Sequence, residues 1–93
     1  MDFIEIKFSG HAIRQMFQRG LKRDDVLSVI RSGEVIIDYP DDTPYPSCLL
    51  LGFVNEIPIH VVLATDQMRQ IGIVITAYVP EENLWTNGFR TRR

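Results

Sequence analysis

The chain has 93 residues, of which 45% are hydrophobic and 24% charged, and its net charge is −2. This length suits one domain with a single core, so we expect residues 1–93 to form one domain. No apolar run approaches the ~20 residues of a membrane span, and the start of the chain does not resemble a signal peptide. These features predict a cytoplasmic protein without membrane contact.

The charged side chains are segregated along the chain. Residues 34–82 hold eight acidic side chains and one basic side chain, a balance of −7, whereas the rest holds nine basic and four acidic side chains, a balance of +5. If the C-terminal arginines fold back near the N-terminal segment, they form one basic surface on an otherwise acidic protein. Such a surface suits a polyanionic partner.

Residues 8–21 predict a first helix, with Ser9 as its N-cap and Gly20 as its left-handed stop. A period of 3.6 residues separates an apolar face from a polar face. The apolar face holds Ala12, Ile13, Met16 and Phe17, and the polar face holds His11, Arg14, Gln15, Gln18 and Arg19. We expect the apolar face to pack against the rest of the protein and the polar face to carry the function. The alternative is that the polar face is only solvated.

A second helix is predicted over residues 23–31, so that the two helices form a hairpin. Residues 3–8 alternate like a short strand, and from residue 34 the pattern becomes that of strands. The main strands are predicted at 34–39, 48–54, 57–65 and 71–79. This order predicts an α+β fold in which the helix hairpin packs on an antiparallel β-meander of about four strands. The face of the sheet opposite the helices is expected to be free for binding.

Strand alternation predicts where the polar side chains of the last two strands lie. His60 interrupts one strand, and Thr76 and Tyr78 share a face of the next, so the three residues line one surface if these faces coincide. The expected neighbours are Val62 and Ala64 beside His60, and Gly72 and Val74 beside Thr76 and Tyr78. Beyond the strands, Trp85 and Phe89 are spaced to pack back on the sheet. A structural role for each of these side chains is the alternative.

The types of polar residue present limit which catalytic reactions the protein could carry out. His11 and His60 lack a nearby histidine or cysteine, so we expect no metal and no cofactor, and Cys48 in its apolar run is expected to be a core thiol. Neither a nucleophile signature nor a glycine-rich phosphate loop is present. The remaining histidines, tyrosine and arginines suit metal-free RNA cleavage. In that reaction a base takes the ribose 2′-hydroxyl proton, an acid protonates the leaving oxygen and cations stabilise the phosphorane.

Several short motifs occur together in one order along the chain. They are Gly10-His11-Ala12-x-x-x-Met16-x-x-Arg19-Gly20-Leu21, Tyr39-Pro40-x-Asp42-x-Pro44-Tyr45-Pro46-Ser47, Ile59-His60-Val61-Val62 and Ile75-Thr76-Ala77-Tyr78-x-Pro80-x-x-x-x-Trp85. In this combination the chain resembles a bacterial domain family of unknown function that is placed in the RelE/ParE-like toxin superfamily. The resemblance implies a RelE-like fold and a toxin-like protein of a type II toxin–antitoxin pair. It implies messenger RNA cleavage and a small DNA-binding antitoxin, which often contains zinc.

These arguments predict one set of site residues. The predicted catalytic residues are His11, Arg19, His60 and Tyr78, and the predicted RNA phosphate ligands are Arg14, Thr76 and Arg90. His11 is the general acid or base, with His60 or Tyr78 as its complement. Arg14 and Arg90 enter on charge alone, whereas the other positions match the family motifs.

Two other classes of function stay open at this point. The first is a non-catalytic inhibitor or interaction module on the same fold. The second is a helix-turn-helix DNA-binding protein, since residues 9–31 have the length of two short helices around a tight turn. Asp24 and Asp25 at the start of the second helix disfavour the DNA-binding alternative, because that position would face phosphates.

Overall fold

The chain folds into two helices and seven strands in a computed structural model that describes residues 2–93. In chain order the elements are β1 (Glu5–Phe8), α1 (Gly10–Arg19), α2 (Arg23–Ser32), β2 (Glu34–Tyr39), β3 (Ser47–Val54), β4 (Ile57–Asp66), β5 (Ile71–Tyr78), β6 (Trp85–Thr86) and β7 (Thr91–Arg92). The α+β prediction is confirmed. Neither helix in the described range has the length and apolar character that crossing a membrane requires.

The main sheet has five strands rather than the four predicted, and it is mixed rather than antiparallel. Its order is β1-β5-β4-β3-β2, while β6 and β7 pair only with each other. β1 extends the sheet by pairing parallel with β5, from Glu5 opposite Ile71 to Phe8 opposite Val74. Sequence alternation indicated this strand but not its partner, because a parallel pair joins segments that lie far apart in the chain.

Local capping fixes both ends of α1. Ser9 Oγ accepts the backbone N–H of Ala12 at 3.0 Å and donates to the carbonyl of Ile75 at 2.9 Å. Gly20 ends the helix with a φ of 68°, in the left-handed region that glycine adopts without strain. Both caps are as predicted, and the second bond of Ser9 ties the start of α1 to β5.

α2 begins with half of a capping box. The backbone N–H of Lys22 donates to Asp25 Oδ2 at 3.1 Å, whereas the lysine side chain makes no cap bond in return. At the other end, the N–H of Gly33 donates to the carbonyl of Val29 at 2.7 Å. Three apolar side chains of this helix are buried, so packing on the sheet compensates for the weak cap.

Both helices lie on one face of the sheet, with α1 over β5 and α2 over β3 and β4. The core between the layers takes inward-facing residues of β3, β4 and β5 and one face of each helix. Its buried members are Ala12, Met16, Val26, Val29, Ile30, Cys48, Leu50, Ile59, Val61, Leu63, Val74 and Ala77. Cys48 is among them, as predicted for a core thiol.

Only part of the apolar face of α1 reaches this core. Ala12 and Met16 are buried, but Ile13 is 56% exposed and Phe17 is 87% exposed. Because α1 packs mainly on the single strand β5, a narrow stripe of its surface is enough to cover that strand. The prediction that all four side chains pack is wrong for Ile13 and Phe17.

A β-bulge at Ile75 decides which side chains of β5 point away from the helices. The pairing with β4 shifts by one residue there. Gly72 and Val74 therefore face the core, whereas Thr76 and Tyr78 lie on the opposite side of the sheet, which we call the outer face. The prediction that these four residues share a face is wrong, because an inserted residue reverses the alternation.

Gly52 marks a close approach of α2 to the sheet. A Cβ at this position would lie 2.8 Å from a methyl group of Val29, closer than packed carbon atoms come. We expect Gly52→Ala to lower the free energy of unfolding by about 1–3 kcal/mol through overpacking. Urea denaturation measures this change. The cost should fall in a Val29→Ala background, which lacks the opposing methyls, and an equal cost in both backgrounds would contradict this packing.

Candidate active site

Residues 85–93, which we call the C-terminal ribbon, cover part of the outer face. The Trp85 side chain is buried and meets the His60 imidazole edge-on, with ring centroids 4.4 Å apart. Arg90 reaches across to Glu34 of β2 with an ion pair of 3.0 Å. The predicted packing of Trp85 on the sheet is confirmed. The outer face is not free over His60, so the expectation of a fully open face is wrong there.

His60 is fully buried and hydrogen bonded through both ring nitrogens. Its Nε2 lies 2.9 Å from the carbonyl oxygen of Phe89, and its Nδ1 lies 3.2 Å from Tyr78 Oη. A carbonyl oxygen only accepts, so Nε2 carries the proton of the neutral ring. Nδ1 is then the acceptor, and the Tyr78 hydroxyl donates to it.

An unusual turn supplies the Phe89 carbonyl. Asn87, Gly88 and Phe89 have φ angles of 54°, 65° and 71°. This left-handed backbone is common for glycine but rare for a bulky residue such as phenylalanine. Contacts with the rest of the protein must offset the cost of such a conformation, and the bond to His60 is one of them.

Burial keeps both partners of the His60–Tyr78 pair uncharged near neutral pH. Burial lowers the pKa of His60, and the hydrogen bond to the Phe89 carbonyl opposes this shift. Burial and then the nearby phenol of Tyr39 raise the pKa of Tyr78, while Arg92 acts in the opposite direction. The Tyr78 hydroxyl therefore stays protonated near neutral pH. The lone pair on His60 Nδ1 accepts the hydrogen bond from this hydroxyl.

A cleft of about 160 Å³ opens where α1, β5 and the C-terminal ribbon meet. We call it the tyrosine cleft. Its lining residues are Arg19, Tyr78, Val79, Pro80, Glu81, Leu84, Trp85 and Arg92. The Arg92 guanidinium lies 5.8 Å from the centroid of the Trp85 ring, which holds it by a cation–π contact. One tyrosine, two arginines and one carboxylate thus converge on one small space.

The structure brings three of the predicted catalytic residues together. Arg19 and Tyr78 line the tyrosine cleft, and His60 lies behind Tyr78. Thr76 is half-buried on the outer face, two residues before Tyr78. These residues come from α1, β4 and β5, so the fold, not local sequence, assembles them.

The other predicted residues lie elsewhere. His11 and Arg14 are exposed on α1, which packs on the core side of the sheet, and neither lines the tyrosine cleft. His11 precedes Arg19 by eight residues, which corresponds to about 12 Å along the helix. Arg90 is engaged by Glu34. The predicted roles of these three residues stay predictions.

The sequence prediction missed Arg92 and Glu81. Arg92 reaches the cleft because it pairs with Trp85 in the short ribbon of β6 and β7. Two-residue strands leave no periodicity to detect, so only the predicted packing of Trp85 and the charge of the C-terminal arginines pointed to this region. Within residues 2–93, no group of three or more histidine, cysteine, aspartate or glutamate side chains is placed to hold a metal ion.

A second and larger concavity lies on the helix side of the protein. This apolar groove has a volume of about 530 Å³ and is lined by Phe8, Ile13, Met16, Phe17, Leu21 and Arg23. The Arg23 guanidinium lies 5.4 Å from the centroid of the Phe8 ring. The groove therefore contains both α1 side chains that were expected to pack but are exposed.

The fold and site define an α+β domain with two helices on a five-stranded mixed sheet and a polar cleft at one end of the layers. A family model described as Domain of unknown function (DUF4258) matches residues 8–79, and the chain belongs to this family. Comparison with curated proteins and with solved structures gives no match. The matched range includes Arg19, His60 and Tyr78 but ends before the C-terminal ribbon.

The buried neutral His60 predicts a pH-dependent stability. Because its pKa is lowered in the folded protein, the unfolded chain takes up a proton at a higher pH than the folded chain does. This contribution to stability is complete above the ordinary pKa of 6.5 and is lost as the pH falls below it. We expect the free energy of unfolding, measured with urea, to decrease as the pH falls below 6.5. His60→Gln should lack this part of the slope, and equal slopes in both proteins would contradict the assignment.

Proposed function

We propose that this protein is a toxin-like, metal-independent endoribonuclease of the RelE/ParE-like superfamily, acting in the cytoplasm as part of a type II toxin–antitoxin pair. The observation that carries the proposal is the tyrosine cleft, in which Tyr78 faces Arg19 and Arg92 and is bonded to a buried histidine. The motifs that resemble this superfamily and the packing of two helices on one face of the sheet also support it.

The residues of the cleft match the needs of RNA cleavage by the ribose 2′-hydroxyl. The attack on phosphorus builds negative charge on the phosphate oxygens. One arginine guanidinium can bind two of these oxygens at once through two N–H donors. Arg19 and Arg92 approach the cleft from different elements and can hold one phosphate between them. Tyr78 contributes a hydroxyl within the same space, next to the attacking oxygen in this proposal.

The size and composition of the cleft favour a single-stranded substrate. Trp85 forms one wall, and the Arg92 guanidinium that lies over its ring can stack on an unpaired base. A volume of about 160 Å³ admits part of one nucleotide and does not accommodate a duplex. An RNA strand that leaves the cleft along α1 passes the exposed side chains of Arg14 and His11. α1 contains no acidic residue that would repel it.

His60 takes a different role from the one expected of a free catalytic histidine. Its ring is enclosed by Tyr78, Trp85 and the Phe89 carbonyl, so RNA does not reach it in this arrangement. In the proposed mechanism His60 acts through the Tyr78 hydroxyl. This mechanism does not use the acid or base role predicted for His11, which lies outside the tyrosine cleft, and that role stays a prediction.

RNA cleavage tests the proposed chemistry. We expect the purified protein to cut single-stranded RNA in the presence of EDTA and to leave 2′,3′-cyclic phosphate ends. Tyr78→Phe should lower the rate by about 10²–10⁴-fold, and Arg19→Ala by about 10²–10³-fold. Gel analysis of a defined oligonucleotide measures both changes.

Arg69→Ala provides a matched control, since Arg69 is an exposed arginine that pairs with Asp66 in the turn after β4. Its rate should equal that of the unaltered protein. Intact RNA with the unaltered protein, or full activity in Tyr78→Phe, would refute the proposal. In the same assay, an unchanged rate in His11→Ala would contradict the acid or base role predicted for His11.

The proposed partner is a cognate antitoxin, a small DNA-binding protein, and we place its contact at the apolar groove. Phe17 and Ile13 are exposed there although their sequence pattern is that of packed residues. Arg23 lines the groove, and the neighbouring surface of α1 is basic and without acidic side chains. An amphipathic antitoxin helix with apolar anchors and acidic flanks is complementary to this surface. The same groove would serve the alternative function, a non-catalytic interaction module.

Truncation of Phe17 tests the proposed contact. We expect Phe17→Ser to weaken binding of the proposed antitoxin by at least about tenfold, because buried aromatic anchors dominate such interfaces. Calorimetry with the co-purified antitoxin measures the affinity. Met68→Ser is the control, since Met68 is equally apolar and fully exposed but lies in the β4–β5 turn. Unchanged affinity in Phe17→Ser would place the contact elsewhere.

A further inference from the structure

We infer that the enclosed His60 is a positioning residue that sets the direction of the Tyr78 hydroxyl proton. The geometry makes Tyr78 donate inward to His60, so that its oxygen lone pairs face the tyrosine cleft. Tyr78 therefore receives a proton from a bound hydroxyl instead of donating one. The proton arrangement stands by itself, whereas its catalytic consequence rests on the proposed ribonuclease function.

The Phe89 carbonyl is the origin of this arrangement. It lies 2.9 Å from Nε2, and the bond requires a hydrogen on that nitrogen. A neutral imidazole has one N–H, so Nδ1 presents a lone pair to the Tyr78 hydroxyl at 3.2 Å. The backbone of the C-terminal ribbon thus fixes the tautomer of a residue in β4, and the tautomer fixes the donor direction of a residue in β5.

The surroundings of His60 favour the neutral ring. Trp85 packs edge-on from the C-terminal ribbon, and Leu51 of β3 lies opposite His60 in the sheet. Glu34 lies opposite Leu51 and is neutralised by Arg90, and Arg92 lies over Trp85. No carboxylate bonds either ring nitrogen, and burial lowers the pKa of the ring.

The proposed proton path balances in two stages. As the ribose 2′-oxygen attacks phosphorus, its proton passes to Tyr78 Oη while the original Tyr78 proton passes to His60 Nδ1. The imidazolium that results donates from both nitrogens, to Phe89 and to Tyr78. The leaving 5′-oxygen takes a proton from solvent water as its bond to phosphorus breaks. The hydroxide so formed recovers a proton from His60 through Tyr78, which returns both residues to their starting states.

Nitrogen NMR of the ¹⁵N-labelled protein tests the tautomer without reference to activity. We expect the His60 signals, identified by their loss in His60→Gln, to show a protonated Nε2 and an unprotonated Nδ1 at neutral pH. Tyr78→Phe should shift the Nδ1 resonance and leave Nε2 protonated. A protonated Nδ1, or an Nδ1 resonance that does not respond to Tyr78→Phe, would overturn the inference.

Kinetics tests the catalytic consequence. His60→Gln retains an amide donor for Phe89 but offers Tyr78 no equivalent ring acceptor, so we expect kcat to fall by at least about tenfold with KM little changed. In a Tyr78→Phe background the same substitution should cost nothing more, because both residues act in one path. Additive losses would assign His60 a separate, structural role. If the unaltered protein cuts no RNA, the proposed function fails, while the NMR result still decides the proton arrangement.

Discussion

The hydrogen bond between the buried His60 ring and the Phe89 carbonyl is the interaction on which the outer face of this protein depends. It holds the C-terminal ribbon against the sheet, together with the Trp85 ring and the Arg90–Glu34 pair. Without the ribbon, the His60 ring would face water, and no carbonyl would fix which of its two nitrogens carries the proton. With the ribbon in place, the neutral Tyr78 hydroxyl donates a hydrogen bond to the neutral His60 ring, next to Arg19 and Arg92.

Features of the chain that depend on near neighbours could be predicted from the sequence. Ser9 and Gly20 bound α1 because capping needs only residues a few positions away. The packing of Trp85 also followed from its spacing with Phe89. The pairing of β1 with β5 could not be predicted, since the sequence carries no mark of a parallel partner 66 residues away.

The candidate site was predicted in outline and differs in its details. Of the predicted site residues, Arg19, His60 and Tyr78 lie close together, whereas their catalytic roles stay predictions. Two irregularities changed what surrounds them. The bulge at Ile75 reversed the facing of half of β5, and the left-handed turn at residues 87–89 put a carbonyl over His60. Irregular backbone of this kind arises from packing and leaves little trace in composition or periodicity.

The family match ends at residue 79, whereas the tyrosine cleft takes Trp85 and Arg92 from beyond that boundary. The cleft is therefore built in two parts. Tyr78 and Arg19 come from the matched residues 8–79, and the C-terminal ribbon contributes a wall. Such a wall can change in length or sequence with little effect on the core between the helices and the sheet. A change in this wall would accordingly alter what the cleft admits while leaving Tyr78 and Arg19 at its base.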